Sequence, residues 1–128
     1  MSDRQAQETL DDGNIQELFR AIDDKDVAKF ATFLAPRISF RFANAEPVTG
    51  KSAVTQAVAG FFDSIHALSH EIDRTIRQGR YVICEGRVIY TRHDASLLKV
   101  PFLNLFDIDN GLIEDYRIYV DASALYGG

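Results

Sequence analysis

The dipeptide Asn110-Gly111 limits what this chain can fold into more than any other feature, because it separates two runs of alternating apolar side chains. A two-residue hairpin turn needs positive φ at both central positions, and Asn-Gly supplies them at little cost. Leu98 to Asp121 therefore reads as two long strands joined at Asp109-Asn110-Gly111. Period-two alternation sends each strand's side chains to two faces, so the pairing register is fixed by which face is buried.

The preceding chain supplies what covers that face. Residues 1–12 form a polar lead-in, expected to fray, ahead of a single domain over 13–128. Asp12 or Asn14 is positioned to cap a helix whose stripe is Ile15, Leu18, Phe19 and Ile22. A second helix is expected from Asp24 to Asp26 onward, burying Val27, Phe30, Phe33 and Leu34 and stopped by Pro36. Arg37 to Ala43 alternates as a half-buried strand, with Ile38, Phe40 and Phe42 on one face. A loop over Asn44 to Gly50 leads into a third helix from about Lys51, with Val54, Ala57, Val58, Phe61 and Ile65 inside. Leu68 to Gln78 and Tyr81 to His93 are strands meeting at Gln78-Gly79, and Asp94-Ala95-Ser96 loops into the hairpin. This order predicts an α+β fold, three N-terminal helices packed on one face of a strongly curved, mainly antiparallel sheet.

Composition narrows the function classes. The 128 residues suffice for a core burying roughly two thirds of the unfolded surface. With 14 Lys+Arg against 19 Asp+Glu the net charge is −5, which disfavours nucleic acid. Cys84 is the one cysteine, so no internal disulfide can form and a reducing cytoplasm is expected. Neither a signal peptide nor a membrane-spanning run is expected.

The parity of Phe40 and Phe42 carries through the other strands. It selects Leu68, His70, Ile72 and Arg74, then Val82, Cys84, Val88, Tyr90, Arg92 and Asp94. It continues through Val100, Phe102, Asn104, Phe106 and Ile108, and ends on Tyr116, Ile118 and Val120. A curved sheet aims this set into one mostly apolar hollow, with Asn44, His70, Tyr90, Arg92, Asp94, Asn104 and Tyr116 as its polar groups. An apolar hollow with sparse polar groups is the usual form of a small-molecule site. The opposite parity is also apolar, at Tyr81, Ile83, Ile89, Leu103, Leu105, Ile113 and Tyr119. Three short helices cover only one face of such a sheet, so a homodimer through its outer face is expected.

Three stretches carry a family resemblance. They are Pro47-Val48-Thr49-Gly50-Lys51-Ser52-Ala53-Val54 before a helix ending Gly60-Phe61-Phe62, Glu85 to Asp94, and Asn110-Gly111-Leu112-Ile113 running to Asp121. With the order of elements, they resemble the nuclear transport factor 2-like superfamily, and within it the SnoaL-like branch that includes polyketide cyclases. The resemblance implies a cone-shaped fold and a cofactor-free, metal-free site. It spans limonene epoxide hydrolases, ketosteroid isomerases, scytalone dehydratases and silent binding proteins. The Arg-x-Asp pair of the epoxide hydrolases looks like Arg92-His93-Asp94, and their strand-end asparagine looks like Asn44. Their second catalytic aspartate falls on Ile118 and their water-binding tyrosine on Phe42. The oxyanion-hole aspartate of the isomerases falls near Asn104, while Arg37 to Asn44 holds no aspartate to serve as their base. The cyclases, which move a proton with a carboxylate or histidine, are the nearest chemical analogy.

Each candidate carries a chemical and a plain reading. Asp94 can move a proton with Arg92 orienting it, or the two can close a strand end. His70 has an imidazole suited to proton transfer near neutrality, or is a hydrogen-bonded core histidine. Asn44 and Asn104 can donate to a substrate oxygen, and Tyr90 and Tyr116 can offer hydroxyls or simply pack. Phe40, Phe42, Phe102 and Ile118 supply apolar wall. Gly50-Lys51-Ser52 lacks the earlier glycine of a phosphate loop, since Ala45 stands there, and reads as a helix start. No histidine–cysteine spacing suits a metal. The expected function is acid–base chemistry, of cyclase, isomerase or hydrolase type, on a small apolar oxygenated molecule. The alternative is a ligand-binding or dimerisation module of the same fold.

Overall fold

The computed structural model describes residues 12–126, so of the lead-in expected over residues 1–12 only Asp12 is among the described residues, and it opens a helix. Helix α1 (Asp12–Asp23) already includes Asn14, which therefore lies inside the helix rather than capping it. Its stripe Ile15, Leu18, Phe19 and Ile22 is buried as expected. Twelve residues are too few for a helix to persist alone, and each buried side chain of this size contributes about 1.5–3 kcal/mol. Docking of the stripe is thus what makes α1 a helix.

Helix α2 (Val27–Ala31) begins at Asp26, whose side chain accepts from the Lys29 backbone N–H at 3.0 Å. It is shorter than the sequence predicts. Phe33 is buried in the following turn and Leu34 opens strand β1 (Leu34–Phe42), so Pro36 stands within a strand instead of stopping a helix. The β1 pairing shifts register between Leu34 and Ser39, and an irregular ladder tolerates a residue with no N–H to donate. Strand β2 (Val48–Thr49), read from sequence as loop, pairs with Ser39 and Phe40. Helix α3 (Lys51–Asp63) starts at Gly50, where φ is +100°. It buries Val54, Val58 and Phe62 rather than Ala57, which is exposed, and Phe61, which is half-buried.

Strands β3 (Ala67–Gln78), β4 (Tyr81–Thr91), β5 (Leu97–Asp109) and β6 (Leu112–Val120) follow. The hairpin turn stands where the sequence puts it, with φ of +53° at Asn110 and +76° at Gly111. The sheet order is β2-β1-β6-β5-β4-β3, antiparallel except where β1 runs parallel to β6. A last short helix α4 (Ser123–Tyr126) closes the described chain. Helices on one face of a mainly antiparallel sheet make this an α+β fold.

Bulges decide where alternation holds. On β3 the register shifts between Ile72 and Arg74, and Ile72 and Arg74 are exposed, contrary to parity. An extra residue turns later side chains away from the hollow. Gly86 lies opposite, and a Cβ there would sit 1.8 Å from the Glu71 carbonyl oxygen, so only glycine fits. A second shift, between Asp107 and Ile108, turns Ile113 into the core instead of onto the outer face. Between the bulges the expected parity stands, with Val82, Cys84, Val88, Tyr90, Phe102, Asn104, Phe106 and Tyr116 all buried.

Candidate functional site

A cavity of about 230 Å³ lies between the helices and the concave face of the sheet. Phe40, Phe42, Phe102 and Ile118 line it as expected, and so do His70, Tyr90, Asn104 and Tyr116. Helix α3 adds Val58, Phe61 and Phe62, and the loop after β1 adds Ala45 and Glu46. Ala45, Glu46 and Ala57 are the exposed members of the lining, so the mouth lies between that loop and α3.

Aromatic rings set the shape of the wall. Tyr116 meets Phe106 at 4.6 Å and Phe40 edge-on at 5.3 Å, and Phe61 spans from Phe42 at 5.3 Å to Tyr90 at 6.0 Å. Tilted and edge-on contacts of this kind fix ring orientation beyond simple burial. Burial, with smaller contributions from Cys84, Tyr90 and Asp23, pushes the Tyr116 phenol well above its ordinary value. Tyr116 therefore stays protonated at physiological pH. It is a donor and no base.

His70 is the histidine of the lining, and its side chain is only 11% exposed. Its Nδ1 lies 2.6 Å from Asp23 Oδ1, and its backbone N–H donates to Asp23 Oδ2 at 3.0 Å. Strand β3 is an edge of the sheet, so the outward N–H of His70 has no neighbouring strand to bond. Asp23, the last residue of α1, satisfies it and the ring together. The turn after Asp23 is clamped in place by Lys25, at φ +54°. Lys25 Nζ donates to the carbonyls of Phe62, Ile65 and His66 at 3.1–3.2 Å, tying α1 to the end of α3. Phe19 and Phe102 flank the imidazole at 5.0 and 5.2 Å. A carboxylate at one ring nitrogen orients a histidine and leaves Nε2 as the nitrogen not committed to Asp23.

Asn104 is 1% exposed. Among the described residues, its Oδ1 is the buried side-chain polar atom without a hydrogen-bond partner. On the sheet it stands opposite Cys84 and Ile118, between Phe102 and Phe106, so none of these strand neighbours is a strong donor. Cys84 is a buried core residue, as expected, 3.8 Å from Thr75 Oγ1.

Three expected residues lie elsewhere. Asp94 is exposed in the β4–β5 loop, where its Oδ1 accepts from the Ser96 N–H at 2.9 Å and the Ser96 hydroxyl at 2.6 Å. Those two bonds, with Arg92 adding attraction, hold its carboxyl below the ordinary aspartate value. Arg92 turns to the chain end, donating to Ala124 O at 2.8 Å, Leu125 O at 3.3 Å and Ser96 Oγ at 3.1 Å. Strand β4 ends at Thr91, so alternation no longer aims either side chain at the cavity. Asn44 is exposed in the turn after Ala43, where φ is +51° and the strand has ended. Its neighbours Ala45 and Glu46 reach the mouth; it does not.

Sequence reasoning missed Asp23 and Glu46. Asp23 had a usable signal, since it follows Ile15 and Phe19 at i+8 and i+4 and so puts an acid on the edge of an apolar stripe. Glu46 had none. No group of three or more metal-ligating side chains occurs among the described residues. No helix there is long and apolar enough to cross a membrane.

This architecture has known counterparts. The model of the SnoaL-like domain matches residues 15–116, so the chain belongs to that family. A protein named as a SnoaL-like polyketide cyclase, from Jannaschia sp. CCS1, shares 17% identity and a TM-score of 0.75, over 87% of this chain and 85% of its own. An LEH-like epoxide hydrolase from M. tuberculosis shares 15% identity and a TM-score of 0.75, over 85% of this chain and 80% of its own. A protein with a ketosteroid isomerase-like fold from Catenulispora acidiphila DSM 44928, in complex with trimethylamine, shares 17% identity at a TM-score of 0.76, over 82% of each chain. At these identities the likeness establishes the nuclear transport factor 2-like fold. No curated protein sequence matches the chain significantly.

Proposed function

We propose that the chain is a cofactor-independent acid–base enzyme acting on a small apolar oxygenated molecule held in the cavity. The observation that carries this reading is the 2.6 Å contact between His70 Nδ1 and Asp23 Oδ1 at the cavity wall. Asp23 stabilises the imidazolium that forms when Nε2 takes a proton from a carbon or oxygen acid, and His70 returns that proton to another position of the substrate. Tyr116 and Asn104 hold the substrate's oxygen, and Tyr90 and the phenylalanines hold its apolar body. The roles expected of Asp94 and Arg92 pass to His70 and Asp23, because the former pair stands away from the cavity. The volume of about 230 Å³ is below the roughly 300–1,000 Å³ usual for ligand pockets, which favours a compact substrate over an extended polycyclic one.

The test is a panel of epoxides, enones and polyketide-like esters assayed with the protein and with His70→Gln. A group that moves the proton is worth roughly 10²–10⁴-fold in rate, so the variant loses activity by that factor. Full turnover by His70→Gln on any active substrate would overturn the assignment.

A second reading is a non-catalytic binding module of the same fold. It is favoured by the Asp94–Arg92 pair, the likeness to an epoxide-hydrolase site, lying outside the cavity. That the relative with a ketosteroid isomerase-like fold holds trimethylamine supports small-ligand binding under either reading. A homodimer through the outer sheet face goes with both. Tyr81 is 52% and Tyr119 53% exposed there, beside half-buried Ile83, Ile89, Leu103 and Leu105. Light scattering at micromolar concentration is expected to give twice the chain mass, and a monomer would contradict the dimer. A cytoplasmic setting fits a chain whose one cysteine, Cys84, is buried.

A further inference from the structure

Resting on the reading of the cavity as a small-molecule site, we infer that its ligand is uncharged and carries a hydroxyl group that donates to Asn104 Oδ1. The atom is a buried acceptor without a partner on the cavity wall, and an acceptor left this way is costly unless something donates to it. Among the described residues none donates to it, and Asn104 faces Cys84 and Ile118 across the sheet and lies between phenylalanines along its own strand. A ligand with only carbonyl or ether oxygens would bring a second acceptor to the same place.

Charge is decided by what the lining lacks. Among the described residues no lysine or arginine lines the cavity, so a carboxylate or phosphate would lose its hydration with no cation to replace it. The one carboxylate of the lining, Glu46, is exposed at the mouth, while Asn104 is buried on the floor. A cation seated deep enough to reach Oδ1 would be stripped of water beside neutral aromatic walls. A neutral alcohol, phenol or enol satisfies Oδ1 and leaves its apolar remainder against the rings. The same hydroxyl would lie in a cavity that His70 also lines, so the group recognised is also one with a proton to move.

The test uses four probes on one ring: cyclohexanol, cyclohexanone, cyclohexanecarboxylate and cyclohexylammonium, titrated into the protein by calorimetry or ligand-observed NMR. Cyclohexanol is expected to bind about tenfold or more tightly than each of the others, the effect of one buried hydrogen bond. In Asn104→Leu, of similar shape, that preference over cyclohexanone collapses to within about twofold. Equal binding of the alcohol and the ketone by the protein itself overturns the inference, whatever the variant does. So does tighter binding of the carboxylate or the ammonium, or no binding by any probe at millimolar concentration. Selectivity is read without turnover, so its failure leaves His70 proton transfer standing, and a silent His70→Gln comparison leaves the selectivity standing.

Discussion

Two aspartates, Asp23 and Asp94, each stand near a basic side chain, and their surroundings divide them. Asp23 and His70 are 47 residues apart and meet where α1 ends against an edge strand. Asp94 satisfies itself two residues along the chain, on Ser96, while Arg92 serves the carbonyls of Ala124 and Leu125. The first pair ties a helix to a cavity wall, and the second tidies a loop. Close spacing in sequence produced a local turn here, and long separation produced the candidate site. A short-range polar motif at a strand end is already provided with partners by its own loop, so it has little left to offer a substrate.

The sharpest break between the two pairs comes from removing each carboxylate. Asp23→Ala strands the ring nitrogen and backbone N–H of His70 together and should lower unfolding stability by about 2 kcal/mol, read by urea denaturation. The same change should lower turnover with the His70→Gln defect, since the imidazole loses its orienting partner. Arg92→Ala removes two bonds to the carbonyls of Ala124 and Leu125 and one to Ser96, and should cost about 1 kcal/mol while leaving cyclohexanol affinity unchanged. Asp94→Asn is expected to do least, with turnover and affinity within about twofold of the parent. Its visible effect lies in pH dependence. A carboxyl held below its ordinary value favours the folded state above that value and loses this as pH falls through the folded one. Asp94→Asn should therefore narrow the difference in stability between neutral and acid pH. A large loss of activity in Asp94→Asn would reverse the comparison.

The fold was readable from sequence because its signals are local or periodic. Asn110-Gly111 needs only its own φ angles, and the stripe of α1 and the alternation of β4 and β5 are repeated several times over. Errors fell where one residue breaks a period. The bulge between Ile72 and Arg74 turned Arg74 outward, the bulge at Asp107 and Ile108 turned Ile113 inward, and the end of β4 at Thr91 freed Arg92 and Asp94 from the alternation. Nothing in a list of residue types announces such a shift, although Gly86 in mid-strand is a trace of the first. Of the polar groups expected inside, His70, Tyr90, Asn104 and Tyr116 lie in regular strand and line the cavity. Asp23 escaped because its partner is fixed by how α1 docks on β3, which no local pattern encodes.

The proposed function requires that His70, held by Asp23 through Nδ1, present Nε2 to the cavity. Nitrogen NMR of histidine-labelled protein tests it most directly, by assigning the proton on each ring nitrogen of His70 with and without cyclohexanol. The expected result is a ring protonated at Nδ1, an Nε2 resonance that moves when the alcohol fills the cavity, and loss of that tautomer in Asp23→Ala. A ring protonated at Nε2, or a resonance indifferent to the occupied cavity, would contradict it.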